Sequence, residues 1–256
     1  MPIISKKGTR IADTDGGKGK KTRGKRPMCS AVIVAAGTSR RMGGEDKLLL
    51  EICGAPVLAH TLTAFQRSEC IDEIIIVTRE DMLGAVGEMC EKYGADKAAG
   101  IIVGGATRLE SALYGTLAVS KNAKLIAIHD GARPCLDEGL LSRAVKAASE
   151  HYAAAPAIPV SSTIKRVKDG IISETVDRAE LVEIQTPQVF DAGLIKAALT
   201  GALKKGAEVT DDCMAVELIG GRVLITEGSA SNIKITTKDD IAIAESILRP
   251  SEQSPN

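Results

Sequence analysis

Along this chain, short apolar runs alternate with stretches in which apolar residues return every three or four positions, and glycine or small polar residues separate the two. Residues 31–36 (AVIVAA), 73–77 (EIIIV), 101–103 (IIV), 125–128 (LIAI) and 157–160 (AIPV) read as short strands buried on both faces. The stretches between them read as helices. The first starts near Pro56, with Val57, Leu58, Leu62 and Phe65 on its buried side; a second runs to about Tyr93, and a third from Arg108 to about Val119. Asp137 caps a fourth, ending near Tyr152, and further helices cover about 192–205 and the residues from Thr237 to about Leu248. That alternation predicts an α/β chain with a doubly wound, mostly parallel sheet and right-handed crossovers.

The rhythm breaks after residue 160. Residues 163–168 and 171–176 flank Asp169-Gly170, and Asp-Gly between two β-rich runs marks a hairpin. With Ile164, Val167, Ile171 and Val176 and little core to cover, it reads as an arm over about residues 161–178 that projects toward a partner subunit. An edge hairpin lying on its own domain is the plainer reading. Residues 184–190 (IQTPQVF) read as a polar segment of fixed turn geometry, and Thr210-Asp211-Asp212 as a helix cap, which would be its whole task. A strand is expected over 222–226, and Lys234 within NIKITT would sit mid-strand, on the face opposite Ile233 and Ile235.

Composition adds boundaries. No linker-like break follows residue 28, so residues 29–249 are expected to form one domain, with a short tail over 250–256. Residues 1–28 differ from the rest: up to Pro27 they hold nine Lys or Arg against Asp13 and Asp15, and without apolar periodicity they read as a disordered, solvated head. A nucleic-acid arm is the lesser reading, and no nucleic-acid partner is expected. The six cysteines form no C-x-x-C pair and no zinc spacing, and no apolar run reaches the ~18 residues of a membrane span. A reduced, cytoplasmic setting without a membrane partner or structural metal is the expectation.

Candidate chemistry gathers where the strands end. Residues 29–47 read CSAVIVAAGTSRRMGGEDK: a buried strand, a turn of small residues that a ligand can approach, then Arg40, Arg41 and Lys47. Backbone N–H groups and clustered cations are what a polyphosphate requires. Neither G-x-x-x-x-G-K-[ST] nor G-x-G-x-x-G is present, which argues against a P-loop NTPase and a dinucleotide-binding reductase. Gly104-Gly105 follows the third strand and precedes Arg108 and Ser111 on a helix's first turns. The fourth strand ends in HDGARP, where Asp130 is the best metal candidate and His129 reads as a packed strand residue.

In order, AAGTSRRM…K, GGATRLES, HDGARP, PVSSTIK, TVDR, QTPQVF, TDD and SNIKITT resemble the 2-C-methyl-D-erythritol 4-phosphate cytidylyltransferase family over about residues 29–248. The resemblance implies a Rossmann-like nucleotidyltransferase fold and transfer of CMP from CTP to a polyol phosphate, with Mg²⁺ and release of pyrophosphate. Arg41 and Lys47 would then stabilise the triphosphate as the α-phosphorus becomes five-coordinate, and Arg178 and Lys234 would hold the attacking phosphate. Ala35, Ala36, Gly37, Gly105 and Ser111 would surround the cytidine. Asp130 would serve the metal and the substrate hydroxyls, with Arg133, Thr186 and Thr210 nearby. Thr163 and Arg178 would complete a partner's site across a homodimer. Two positions depart from the family pattern: Ser39 in place of a second loop glycine, and Ser162 in place of Asp before the arm's Thr. Cytidylyltransferases acting on ribitol 5-phosphate are the nearest rival, although they usually carry Ser-Val at the position of Gly131-Ala132. Molybdenum-cofactor nucleotidyltransferases lack the QTPQVF and NIKITT segments, and a CTP-binding module without transfer would not need both Lys47 and Lys234.

Overall fold

The computed structural model describes residues 26–37 and 46–249. In chain order it contains β1 (Cys29–Ala35), β2 (Glu51–Ile52), β3 (Ala55–Pro56), α1 (Val57–Arg67), β4 (Glu73–Thr78), α2 (Leu83–Lys92), β5 (Ala98–Val103), α3 (Arg108–Ala118), β6 (Leu125–Asp130), α4 (Glu138–His151) and β7 (Ala153–Pro159). There follow β8 (Ile164–Lys168), β9 (Ile171–Val176), β10 (Val182–Ile184), β11 (Gln188–Asp191), α5 (Ala192–Lys204), α6 (Asp212–Glu217), β12 (Leu224–Glu227) and α7 (Asp239–Leu248). The basic head up to residue 25, the tail from Pro250, and Ser39, Arg40 and Arg41 lie outside the described residues.

The main sheet runs β10-β7-β11-β6-β1-β4-β5, with β12 also on β7. Strands β6, β1, β4 and β5 are parallel; β11 lies antiparallel to β6 and β7, and β7 takes β12 parallel and β10 antiparallel. The chain steps outward from β1 to β4 and β5, then returns across β1 to β6. The winding therefore reverses between β1 and β6, where a crevice opens at the carboxyl ends of the strands. Alternate residues feed two cores: Ile33, Ile74, Ile76 and Ala127 pack with α1, α2 and α4, while Val32, Val77, Ile126 and Ile128 pack with α3, α5 and α6. Strands buried on both faces explain why apolar runs rather than alternation marked them.

The structure corrects the sequence reading in three places and adds a short hairpin in a fourth. Residues 232–236 form no strand, so Lys234 sits in an irregular segment; Ile235 is nevertheless buried, while Lys234 reaches Asp130. The QTPQVF stretch holds a strand, β11, at the centre of the sheet. Strand β7 begins at Ala153, not 157, because Tyr152 caps α4 with φ 68° and turns the chain at once into the sheet. Residues 51–56 form a two-residue-per-strand hairpin about Cys53 and Gly54 (φ 50° and 79°).

The arm is a separate two-stranded sheet, β8 and β9. Its turn residues, Asp169 and Gly170, have φ 51° and 77°, the double positive that a type I′ turn demands. Val167, Ile171 and Ile172 stand 58%, 72% and 61% exposed on it.

Helix α3 lies against β1 and β4 through Gly115, where an added Cβ would come within 2.3 Å of Val32 Cγ1 and 2.8 Å of Val77 Cγ2. Helix propensity favours alanine there by ~1 kcal/mol, but two stiff β-branched side chains must give way, at a cost of ~1–3 kcal/mol. Gly115→Ala is therefore expected to lower the urea-unfolding midpoint; an unchanged or raised midpoint would show that α3 can lift off the sheet freely.

Candidate active site

Strand β1 delivers Ala35, Ala36 and Gly37, β5 delivers Gly104 and Gly105, and β6 delivers Asp130, all at carboxyl ends. They meet around a cavity of about 310 Å³ lined by Ala35, Ala36, Gly37, Lys47, Gly105, Ser111, Asp130 and Lys234, all expected at the site, together with Arg108. Gly104 packs closely: a Cβ on it would lie 2.7 Å from both Ala36 Cβ and Ser111 Oγ. Ser111 Oγ accepts the Gly105 N–H at 3.1 Å and donates to Thr107 O at 2.9 Å, so this hydroxyl shapes the glycine turn. Thr107 and Glu110 cap α3 reciprocally.

Asp130 is the electrostatic centre. Its Oδ2 lies 2.7 Å from Lys234 Nζ and 3.6 Å from Arg133 Nε, and its Oδ1 lies 3.7 Å from Arg108 Nη2. Burial pushes the carboxyl up, but Lys234, Arg108 and Arg133 outweigh it and hold the group well below the usual carboxylate range. Arg108 is clamped in turn by Asp212, with Nη1 to Oδ1 at 3.0 Å and Nη2 to Oδ2 at 2.8 Å. Burial raises the Asp212 carboxyl and Arg108 opposes it; donors on both oxygens mark it as an acceptor pair of the fork type. Lys47 Nζ donates to Ile235 O at 2.8 Å, beside Lys234. Arg79 bonds Gly37 O at 3.1 Å and Asp46 Oδ2 at 2.7 Å, joining the two flanks of residues 38–45.

The QTPQ segment ties these parts together. Gln185 bonds Ser229 through both its amide atoms, at 2.8 and 3.1 Å. Thr186 Oγ1 accepts the Asp130 N–H at 3.2 Å, and Thr186 O accepts from Asn232 Nδ2 at 2.8 Å. Gln188 Oε1 accepts the N–H groups of Asp212 and Cys213, both at 3.0 Å, while its Nε2 donates to Asp211 Oδ2 at 2.8 Å. Asn232 O accepts from Arg133 Nη1 at 2.7 Å, and the Ile235 N–H donates to Ala132 O at 2.8 Å. Asp240 Oδ2 then accepts the N–H groups of Thr236 and Thr237, which closes the 232–237 segment onto α7.

Other expected residues fall elsewhere. Arg133 and Thr186 lie behind Asp130, off the cavity wall. Thr163 is exposed and Arg178 donates to Ser161 O, both on the arm away from the cavity. Thr210 is exposed, with its hydroxyl 3.8 Å from Met214 Sδ, and does not line the cavity. The TDD triplet does more than cap: Asp211 caps α6, and Asp212 holds Arg108.

Residues 29–250 match the protein family described as IspD: 2-C-methyl-D-erythritol 4-phosphate cytidylyltransferase. The chain belongs to this family. Among the curated proteins of that name, the one from Halalkalibacterium halodurans is 40% identical over 88% of this chain and 98% of its own length. That of Caldanaerobacter subterraneus subsp. tengcongensis is 44% identical over 86% and 98%. Among solved structures, the 4-diphosphocytidyl-2C-methyl-D-erythritol synthase of Anaerococcus prevotii is 33% identical, with a TM-score of 0.78 over 87% of this chain and 96% of that one. The match to the cytidylyltransferase family takes in every element that builds the cavity, from β1 to α7.

Sequence reasoning missed Arg79, Asp212, Gln185, Gln188 and Asn232 as parts of this cytidylyltransferase site. Each acts on a partner 24 or more residues away in sequence, so no local spacing announces it.

His129 is buried against Phe65, ring centroids 5.0 Å apart. Its Nε2 lies 3.3 Å from Arg133 O, which only accepts, so Nε2 carries the proton and Nδ1 accepts the Thr186 hydroxyl at 3.0 Å. Burial lowers the imidazolium pKa from 6.5 to about 4. Between those values the unfolded chain binds a proton that the folded chain refuses, so stability is full above pH 6.5 and falls toward pH 4 by up to ~3 kcal/mol. Nitrogen-15 NMR should find the His129 ring neutral, Nε2-protonated and unchanged from pH 8 to ~5.5; a midpoint near 6.5 would contradict the buried assignment.

Proposed function

We propose that this chain transfers CMP from CTP to 2-C-methyl-D-erythritol 4-phosphate, giving 4-diphosphocytidyl-2-C-methyl-D-erythritol and pyrophosphate. The observation that carries this reading is the cavity that Lys47 lines and in which Lys234 and Arg108 flank one ionised carboxylate beside a glycine turn. A phosphate monoester is already an anionic nucleophile, so the reaction asks for no Ser-His-Asp relay. It asks for cations that offset repulsion between two phosphates and line up the attack.

In this reading Arg41 and Lys47 stabilise the triphosphate, and Lys234, with Arg178 from a partner's arm, holds the attacking phosphate. Ala35, Ala36, Gly37, Gly105 and Ser111 take the cytidine; Asp130, Arg133, Thr163, Thr186 and Thr210 serve the second substrate. Among the described residues, no three His, Cys, Asp or Glu side chains gather to hold a metal alone. Asp130 offers one carboxylate on the cavity wall, with Arg108 3.7 Å away. That donor fits Mg²⁺ bound chiefly by the triphosphate, with Asp130 as the protein's own ligand. The ion would offset charge on the transferring phosphoryl group.

A homodimer accounts for the arm. Apolar surface on Val167, Ile171 and Ile172 has no core of its own to cover, and a second copy would bury it. Six free cysteines, four of them buried, and the absence of any described helix long and apolar enough to span a membrane support a cytoplasmic setting. Residues 29–249 act as one cytidylyltransferase domain in this reading.

The ribitol 5-phosphate rival is disfavoured at Gly131. A Cβ there would lie 3.2 Å from Ala35 Cβ and from Leu58 Cδ1, and 3.3 Å from Val34 O, tight for the serine such enzymes carry. The test measures pyrophosphate release with CTP and Mg²⁺, offering each polyol phosphate in parallel. Release with 2-C-methylerythritol 4-phosphate alone is expected. Release with ribitol 5-phosphate alone would overturn the substrate while keeping the chemistry, and release with neither would leave a CTP-binding module.

A further inference from the structure

Asp212 is a charge buried to 1% exposure, some hundred residues along the chain from the cation it pairs with. Its two oxygens meet the two terminal nitrogens of Arg108 at 3.0 and 2.8 Å, the parallel fork geometry that fixes a guanidinium in direction as well as place. Its own backbone is fixed too. Gln188, 1% exposed, takes the N–H groups of Asp212 and Cys213 on one oxygen and holds the α6 cap, Asp211, with its amide nitrogen. A side chain whose amide oxygen and nitrogen both bond one helix end is a mount for that end.

The mount has a consequence for Asp130. Arg108 Nη2 stands 3.7 Å from Asp130 Oδ1, close enough for attraction and too far for a hydrogen bond. Lys234 occupies the other oxygen at 2.7 Å. Oδ1 is therefore the oxygen left to receive a group from the cavity, and Arg108 is the cation placed to take it first. Only the stronger fork to Asp212 keeps the guanidinium where it is. Were Asp212 uncharged, only the weaker pull of Asp211 would oppose Asp130 among the described carboxylates, and the guanidinium would close the gap.

We propose that Asp212 is a positioning residue that restrains Arg108 from Asp130, and that Gln188 mounts it, so that Asp130 Oδ1 stays open to the second substrate. The inference rests on the cytidylyltransferase reading for what fills that oxygen, namely a hydroxyl of the polyol phosphate; the restraint itself does not depend on that reading. Arg108 retains further N–H donors toward the cavity, which it lines. Asp212 touches no substrate and acts through Arg108 alone.

Three variants of the full chain test it: Asp212→Asn, Arg108→Gln, and the two combined. A crystal structure of Asp212→Asn decides the restraint whatever the substrate: Arg108 should move to within hydrogen-bond distance of Asp130 Oδ1. A guanidinium that stays at its wild-type distance overturns the proposal. Calorimetry of 2-C-methylerythritol 4-phosphate on enzyme loaded with an α,β-methylene CTP analogue reads the consequence. Asp212→Asn should weaken the polyol phosphate about tenfold or more while changing CTP-analogue affinity less than about threefold. The double variant should bind the polyol phosphate no more weakly than Arg108→Gln alone, because without Arg108 the charge of Asp212 has nothing left to restrain. A double variant weaker than Arg108→Gln by the full Asp212→Asn factor, or equal weakening of both ligands by Asp212→Asn, would show that Asp212 merely supports α6. Failure of wild-type enzyme to bind the polyol phosphate at all would count against the functional reading, and the crystal structure of the variant would still decide the restraint.

Discussion

One buried carboxylate, held ionised among three cations, is the constraint on which the rest of this structure depends. Asp130 leaves a central strand into a site where an uncompensated charge would be expelled or neutralised. Lys234, Arg133 and Arg108 make its ionised form the stable one. Those cations are drawn from three separate parts of the chain, so the site exists only when all three are brought to one strand end. The reverse also holds for Lys234, which Asp130 keeps in place before a polyphosphate ligand arrives, as Asp212 does for Arg108.

The fold meets this requirement with a sheet that winds both ways from β1. The reversal puts Asp130 next to the β1 turn, and α3, following β5, brings Arg108 across the crevice. The remaining parts arrive late in the chain and need a fastener. QTPQ supplies it from inside the sheet: Gln185 holds the 229 turn, Thr186 holds the Asp130 backbone, and Gln188 holds the start of α6. A central antiparallel strand, β11, anchors that segment between β6 and β7. Hydrogen bonds made by fully buried side chains carry more consequence than their number suggests, since each left unmade leaves a desolvated group without a partner.

Much of this was legible in the sequence, and the reasons are local. The parallel strands announced themselves because double burial requires continuous apolar runs, and the arm because a type I′ turn requires residues such as Asp-Gly. The small residues at Ala36–Gly37 and Gly104–Gly105 marked the crevice because close approach excludes larger side chains. What stayed hidden is relational. Nothing near Asp212 says that its partner is Arg108, and nothing in QTPQ says that its two glutamines face different loops. The alanine-rich start of β7 and the unpaired segment around Lys234 were misread because tertiary packing, not intrinsic preference, decides the form of both. Thr163 and Arg178 stand apart from the cavity in one chain.

The most direct test of the central role given to Asp130 is to replace it with asparagine, which keeps the shape and removes the charge. Pyrophosphate release from CTP in the presence of 2-C-methylerythritol 4-phosphate should fall by about a hundredfold or more, with the fold retained by circular dichroism. Turnover within a few-fold of the wild-type chain would contradict the account, since the cations gathered at this strand end would then need no fixed anion to do their work.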